Sequence, residues 1–296
     1  MDKIRVRDKK VFSVHGSLLT VHTFKRDLKG RTMDRLSKVF STGKKALIVY
    51  LTAGYPSTGL DEELALTAID AGADILELGF PFSDPIADGP LIQEAAHRSL
   101  ENGMTLAGTI DLASRLRSRR EAPMLLMGYA NPVHNMGYDN FATNLARGGG
   151  DGAIIPDLPL ESAAPLRDEM KKHGLSLIPM AAPNTPHERL GHLIESGSGF
   201  LYLVSMAGLT GDALDHTLAW KNTADTAREK GSLPVCVGFG IRTAEDAAQA
   251  SRAADGIIVG TAVTQVIKEA EGSKEAKEGV KRLVRGLKEA ISQVND

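Results

Sequence analysis

The clearest chemical signal in this 296-residue chain is a set of carboxylates, Glu77, Asp84 and Asp88, within Leu76-Glu-Leu-Gly-Phe-Pro-Phe-Ser-Asp-Pro-Ile-Ala-Asp-Gly-Pro90. Glu77 sits in the apolar run Ile75-Leu-Glu-Leu-Gly79, which reads as a strand. Strand alternation puts Ile75, Glu77 and Gly79 on one face and Leu76 and Leu78 on the other. With the leucines packed against helices, Glu77 points the other way, where a carboxylate is costly unless it is paired or its pKa is raised so that it can trade protons. Two uses fit those residues: a structural ion pair, or a group that moves protons. Asp84 and Asp88 follow in a loop rich in Pro, Asp and Gly, where an Asp can simply close a turn or cap a helix. At one mouth with Glu77, Asp88 would complete a pair able to divide acid and base work.

A second constellation lies near the C-terminus. Gly238-Phe-Gly-Ile241 and Val259-Gly-Thr261 each follow an apolar run. Glycines there let backbone N–H groups approach an anion, and a helix opening at Thr261 adds a favourable dipole. Thr243 and Asp246 have capping-box spacing, marking the start of the preceding helix. Such a pair of loops is the recurrent phosphate cradle of (β/α) barrels, with plain turns as the alternative. Between the two constellations, Ser205-Met-Ala-Gly-Leu-Thr-Gly211 reads as a lid or as an ordinary surface loop.

Other chemistries lack their residues. The single cysteine, Cys236, excludes an internal disulfide framework and a multi-cysteine metal site, and the eight histidines form no metal-binding array. There is no Walker A motif or dinucleotide fingerprint, and Ser83 and Ser205 have no nucleophile motif.

The elements that must position these residues follow from periodicity. Eight short apolar runs, at 46–51, 75–78, 124–127, 153–155, 175–179, 200–204, 234–237 and 257–259, alternate with helical patterns. The helical patterns include 61–71, 93–100, 105–120, 160–173, 186–196, 217–230, 243–253 and 274–294. Continuous apolar strands between amphipathic helices predict a parallel sheet covered by helices, and eight units favour a closed barrel. A weak repeat supports this: Ala71-Gly-Ala-Asp-Ile-Leu76, Gly149-Gly-Asp-Gly-Ala-Ile154 and Ala253-Ala-Asp-Gly-Ile-Ile258 all read as helix end, Asp and strand.

With 42% hydrophobic and 24% charged residues, the composition is that of a globular protein, and no run approaches the ~20 apolar residues of a membrane span. The net charge of −2 hides an asymmetry. Residues 1–32 hold nine Lys/Arg against three Asp/Glu, a charge of +6, and the other 264 residues carry −8. The basic arm reads as a dispensable extension, with targeting or interaction as alternatives and Met33 as an alternative start. The expected organisation is therefore a basic extension over 1–32 and one catalytic (β/α)8 TIM barrel over 33–296, with an extra N-terminal helix. Thirty glycines, about 10% against the usual ~7%, suggest tight connections or close backbone–ligand contacts.

The 76–90 stretch closely resembles the signature of the tryptophan synthase alpha subunit family. Tyr50-Leu-Thr-Ala-Gly-Tyr-Pro56, Gly128-Tyr-Ala-Asn-Pro132, Pro156-Asp-Leu-Pro159, Ala182-Pro-Asn-Thr-Pro186, Tyr202-Leu-Val-Ser205, Gly208-Leu-Thr-Gly211, Gly238-Phe-Gly-Ile241 and Val259-Gly-Thr-Ala262 are similar to the family in the same order. The resemblance runs from about Met33 to the C-terminus. It implies a lyase that cleaves indole-3-glycerol phosphate to indole and glyceraldehyde 3-phosphate in tryptophan biosynthesis. By the same resemblance Glu77 is the proton-transfer carboxylate and Asp88 engages the indole N–H. Tyr50, Tyr202, Thr210 and Phe239 touch substrate, and Gly211, Gly240, Gly260 and Thr261 hold the phosphate.

The resemblance further implies a pyridoxal phosphate-dependent beta subunit that receives indole in an alpha2-beta2 heterotetramer. Pro81, Asp84 and the Asn131-Pro132 turn would face it. The expected location is cytoplasmic, with no cofactor in this chain and no nucleic acid or membrane partner. The sequence departs from many family members at Tyr50, Tyr55 and Met206-Ala207, and none of these departures removes a catalytic group. A sugar-phosphate isomerase, a stand-alone lyase and a non-catalytic scaffold are the competing readings. The spacing of Glu77 and Asp88 disfavours the isomerase, and the presence of both disfavours the scaffold.

Overall fold

The computed structural model describes residues 34–204, 213–231, 233–238 and 240–295, with backbone alone over 213–220 and at 295. Nine parallel strands are present: β1 (Ala46–Thr52), β2 (Ile75–Gly79), β3 (Met124–Met127), β4 (Gly152–Ile154), β5 (Ser176–Leu177), β6 (Met180–Ala181), β7 (Leu201–Val204), β8 (Val235–Gly238) and β9 (Gly256–Val259). Their order, β5-β4-β3-β2-β1-β9-β8-β7-β6, begins and ends on segments that are consecutive in the chain.

The expected fifth strand is therefore split. β5 pairs with β4, and β6 pairs with β7. Between them, Ile178 N–H donates to the Ala153 carbonyl at 3.0 Å, and the Pro179 carbonyl accepts from Tyr202 N–H at 2.9 Å. Pro179 has no N–H to give a regular ladder, so the chain turns its hydrogen bonds from one neighbour to the other there. β5 and β6 together fill one of eight strand positions and close a (β/α)8 TIM barrel. Every position sends a side chain inward: Ile48, Ile75, Leu125, Ile154, Ile178, Phe200, Cys236 and Ile258 form one buried cluster.

The helices are α1 (Arg35–Phe40), α2 (Leu60–Ala71), α3 (Pro90–Glu101), α4 (Leu106–Arg117), α5 (Ala130–Met136), α6 (Tyr138–Arg147), α7 (Ala164–Lys172), α8 (His187–Ser196), α9 (Ala213–Lys230), α10 (Ala244–Ala253), α11 (Thr261–Glu269) and α12 (Ser273–Ser292). The extra N-terminal helix is α1, whose Leu36 joins the interior cluster while Phe40 packs on Phe200 at 5.8 Å between ring centroids. Two expected helices are shorter or broken. The 105–120 pattern stops at Arg117, and the 160–173 pattern divides into a 3-10 turn (Leu160–Ser162) and α7, with Pro165 in the first turn of α7. α3 begins three residues earlier than periodicity indicates, at Pro90, because a proline needs no N–H acceptor in a first turn. The Asn131-Pro132 turn is instead the first turn of α5, whose Ala130 N–H donates to Asp157 Oδ1 at 2.8 Å.

The weak repeat has a physical basis at the N-terminal end of the barrel. Asp74, Asp151 and Asp255 each clasp the first residues of the preceding strand with two hydrogen bonds. The Asp N–H donates to the carbonyl of Leu47, Met124 or Val235, at 2.8, 2.8 and 2.7 Å. The carboxylate accepts the N–H of the same residue, at 2.7, 2.9 and 2.8 Å. A cation meets each carboxylate: Lys288 for Asp74, Arg117 and Arg35 for Asp151, and Arg228 for Asp255. The clasps thus register neighbouring strands at the end of the barrel away from the site.

Candidate active site

The C-terminal ends of the strands open on a cavity of about 310 Å³, whose lining includes Tyr50, Glu77, Asp88, Met127, Tyr202, Gly240, Arg242, Gly260 and Thr261. The two carboxylates and the phosphate-type loops read from sequence are therefore brought together. Alternation within β2 acts as expected: Leu76 and Leu78 join the outer core, Ile75 the inner one, and Glu77 turns inward. Glu77 is fully buried and neither carboxylate oxygen has a hydrogen-bond partner. Burial alone pushes its pKa from 4.5 up to about 8. A structural ion pair, the alternative reading of Glu77, is absent among the described residues. At neutral pH the group is a protonated acid poised within a unit of its own titration, as proton transfer in both directions requires.

Asp88 is held by a residue that sequence reasoning did not single out. Tyr129, the N-cap of α5 beside the end of β3, donates its hydroxyl to Asp88 Oδ2 at 3.0 Å. The Tyr129 hydroxyl oxygen in turn accepts Ala87 N–H at 3.0 Å, and the Tyr129 ring stacks on Phe82 with centroids 5.4 Å apart. Gln93 donates to the Asp88 carbonyl at 2.8 Å. Four contacts thus fix the long loop between β2 and α3. Burial raises the Asp88 pKa and the Tyr129 hydrogen bond opposes it. The available signal for Tyr129 was its position, an aromatic residue two places beyond a strand's C-terminal end.

Two further tyrosines wall the cavity, and glycines make room for them. A Cβ on Gly79 would collide with the Tyr50 hydroxyl, and one on Gly238 would stand 2.6 Å from the Tyr202 hydroxyl oxygen. Burial and the nearby Glu77 and Asp88 charges raise both phenols' pKa values, so each remains a hydrogen-bond donor. Gly260 plays a part here too, since its missing Cβ would lie 3.2 Å from Tyr50 Cβ.

Also lining the cavity, α11 starts at Thr261 with Gly260 as N-cap and no capping side chain. Its first intrahelical bond runs from Thr264 N–H to the Gly260 carbonyl, so the preceding first-turn N–H groups have no acceptor within the helix. Gly240 lies beside it in the left-handed region, φ +74°, where glycine is favoured, and the space next to it is open. The expected capping box of α10 is formed: Asp246 accepts the N–H groups of Arg242 and Thr243 at 3.0 and 2.9 Å, while its own N–H donates to Thr243 Oγ1. Arg242 joins the lining and was also missed by sequence reasoning. Thr210, Gly211, Phe239 and the expected lid of 205–211 lie outside the described residues.

The expected partner-facing residues share the rim formed by the segments after β2 and β3. Asp84 and Asn131 are exposed, Pro132 is half-buried, and Pro81 is already buried within the chain. Among the described residues, no helix is long and apolar enough to cross a membrane and no group of three metal-binding side chains occurs.

Residues 36–292 match the family model for the tryptophan synthase alpha chain. Tryptophan synthase alpha chains of Chloroflexus aggregans and Dechloromonas aromatica are 44% and 42% identical, over 89% and 88% of this chain and 100% and 99% of theirs. The crystal structure of tryptophan synthase subunit alpha from Legionella pneumophila superposes with a TM-score of 0.81 at 37% identity, covering 88% of this chain and 99% of that one. A ligand-free tryptophan synthase structure from M. tuberculosis gives 0.77 at 32% identity, over 86% of this chain and 100% of that one. The inward-facing acid, the aspartate in the same cavity and these matches agree: the chain belongs to the tryptophan synthase alpha chain family, the lyases that cleave indole-3-glycerol phosphate.

Proposed function

We propose that Glu77 and Asp88 divide the chemistry of this cleavage. Protonated Glu77 delivers its proton to indole C3, leaving a carboxylate and a positively charged indolenine nitrogen. The carboxylate then takes the proton from the side-chain hydroxyl. As that O–H becomes an aldehyde carbonyl, the carbon–carbon bond breaks and its electron pair restores the aromatic indole. Glu77 ends protonated, as it began, so the cycle needs no other proton donor. Asp88, held by Tyr129, stabilises the charged nitrogen through its N–H, and the Tyr50 and Tyr202 rings flank the indole. Gly240, Gly260 and Thr261 receive the phosphate, together with Gly211; Thr210 and Phe239 complete the enclosure. The single observation that carries this reading is the unpartnered, fully buried Glu77 carboxyl, its pKa pushed up to about 8 by burial, in the lining of a cavity that also holds Asp88.

The chain itself uses no cofactor in this reading. Its indole passes to a pyridoxal phosphate-dependent beta subunit within an alpha2-beta2 assembly in the cytoplasm. Supporting this face as an interface, Ile86 on the rim near Asp84 is 83% exposed, the more exposed of the two large apolar side chains that reach the surface among the described residues. Asp84, Asn131 and Pro132 lie on that rim, with Pro81 supporting them from beneath. Catalysis belongs to 33–296, with 1–32 a dispensable extension.

The test is indole release from indole-3-glycerol phosphate, with and without a beta subunit. The wild-type chain turns over, faster with its partner. Glu77→Gln abolishes turnover while substrate still binds, Asp88→Asn cuts the rate severely, and deletion of 1–32 leaves it nearly unchanged. Normal turnover in Glu77→Gln would sink the mechanism. Equal rates with and without the partner would favour a stand-alone lyase.

A further inference from the structure

The ionisable side chains of the cavity lining are mostly carboxyls and phenols. Glu77 and Asp88 line the cavity, and the backbone N–H groups at the start of α11 supply partial charges but no net positive charge. Arg242 is the only cationic residue among the described residues that line it. Its backbone is pinned, because Asp246 accepts its N–H and locks it against the start of α10. Its guanidinium is exposed, and among the described residues it has no hydrogen bond or ion pair, only a longer-range attraction that lowers the Asp246 pKa. The unpartnered Glu77 carboxyl in the same cavity independently indicates a site built to be completed by a ligand.

We propose that Arg242 is the charge partner of the substrate's phosphate, a specificity-determining side chain that separates a phosphorylated ligand from an uncharged one. The proposal rests on the reading of this cavity as an indole-3-glycerol phosphate site. A phosphate can rest on backbone N–H groups alone, but in a cavity that already holds two carboxyl groups a full positive charge nearby strengthens its binding over that of an uncharged ligand. The planar guanidinium fork matches phosphate oxygens in two parallel hydrogen bonds, which a backbone cradle cannot do with full charge. Arg242 follows Gly240 by two residues, so its side chain starts beside the open space at that glycine.

The experiment compares the full-length chain with Arg242→Gln and Arg242→Lys. Binding of inorganic phosphate is measured by calorimetry at about 50 and 300 mM salt, and steady-state cleavage of indole-3-glycerol phosphate is measured in parallel. Arg242→Gln weakens phosphate binding and raises KM about tenfold, changes kcat far less, and flattens the salt dependence; Arg242→Lys recovers much of the loss. Phosphate affinity and KM within twofold of wild type in Arg242→Gln would overturn the proposal. So would an equal loss of affinity for uncharged indole, since that reports general damage to the pocket. A wild-type chain that binds phosphate but does not cleave the substrate refutes the functional reading alone; the phosphate arm still decides the role of Arg242.

Discussion

Holding Glu77 protonated has a cost in stability that can be measured apart from catalysis. In the unfolded chain the carboxyl titrates near 4.5, and in the fold near 8. Between these values the native state keeps a proton that the unfolded state has lost. Stability therefore falls as pH rises, by about 1.36 kcal/mol per pH unit for this one group. Over the whole window the penalty sums to roughly 5 kcal/mol, absent below pH 4.5 and complete above about pH 8. The side chain is fully buried, so little solvent screening reduces this figure. Glu77→Gln keeps the shape and cannot ionise; its own burial cost is independent of pH. Urea unfolding of both proteins at half-unit intervals from pH 5 to 9 isolates the effect, because every other titrating group cancels in the difference. The variant should gain on wild type steadily from pH 5 to about 8 and then level off, reaching several kcal/mol. Parallel stability curves across that range would refute the assignment of a protonated, desolvated Glu77. The same titration predicts that cleavage by the wild type declines as pH passes through about 8, as the acid that protonates C3 is lost.

Three other perturbations test the surroundings of the acid. Tyr129→Phe removes the hydroxyl that joins Asp88 to Ala87 N–H and should lower kcat/KM about ten- to hundredfold, with Asp88 still present; unchanged kinetics would reduce Tyr129 to packing. Gly238→Ala forces a methyl group against the Tyr202 hydroxyl, so activity should drop with a stability loss of about 1–3 kcal/mol, read from kinetics and urea midpoints. Asp151→Ala opens a strand clasp and leaves Arg117 and Arg35 facing each other, and should destabilise by about 3–5 kcal/mol; at temperatures where the variant is folded its KM should match wild type, since the clasp lies at the far end of the barrel.

The barrel was legible in the sequence because its constraints are local and periodic. Eight apolar runs with helical patterns between them leave few ways to bury both faces of a parallel sheet, and the alternation around Glu77 alone assigned the acid to the interior. The Thr243/Asp246 capping box was equally readable, since its partners are three residues apart. The resemblance to a known family supplied the indole, which no pattern of glycines and carboxylates specifies. What remained illegible depends on residues distant in the chain. The split at Pro179 arises because one strand position must satisfy two different neighbours. Tyr129 reaches Asp88 across 41 residues, and Asp74, Asp151 and Asp255, visible only as a weak repeat, clasp strand starts 20 to 27 residues before them. Above all, a sequence says that Glu77 faces inward, but only the packed barrel leaves it without a single hydrogen-bond partner. A carboxyl's pKa is a property of everything that surrounds it, and that shell is assembled from strands across the whole chain.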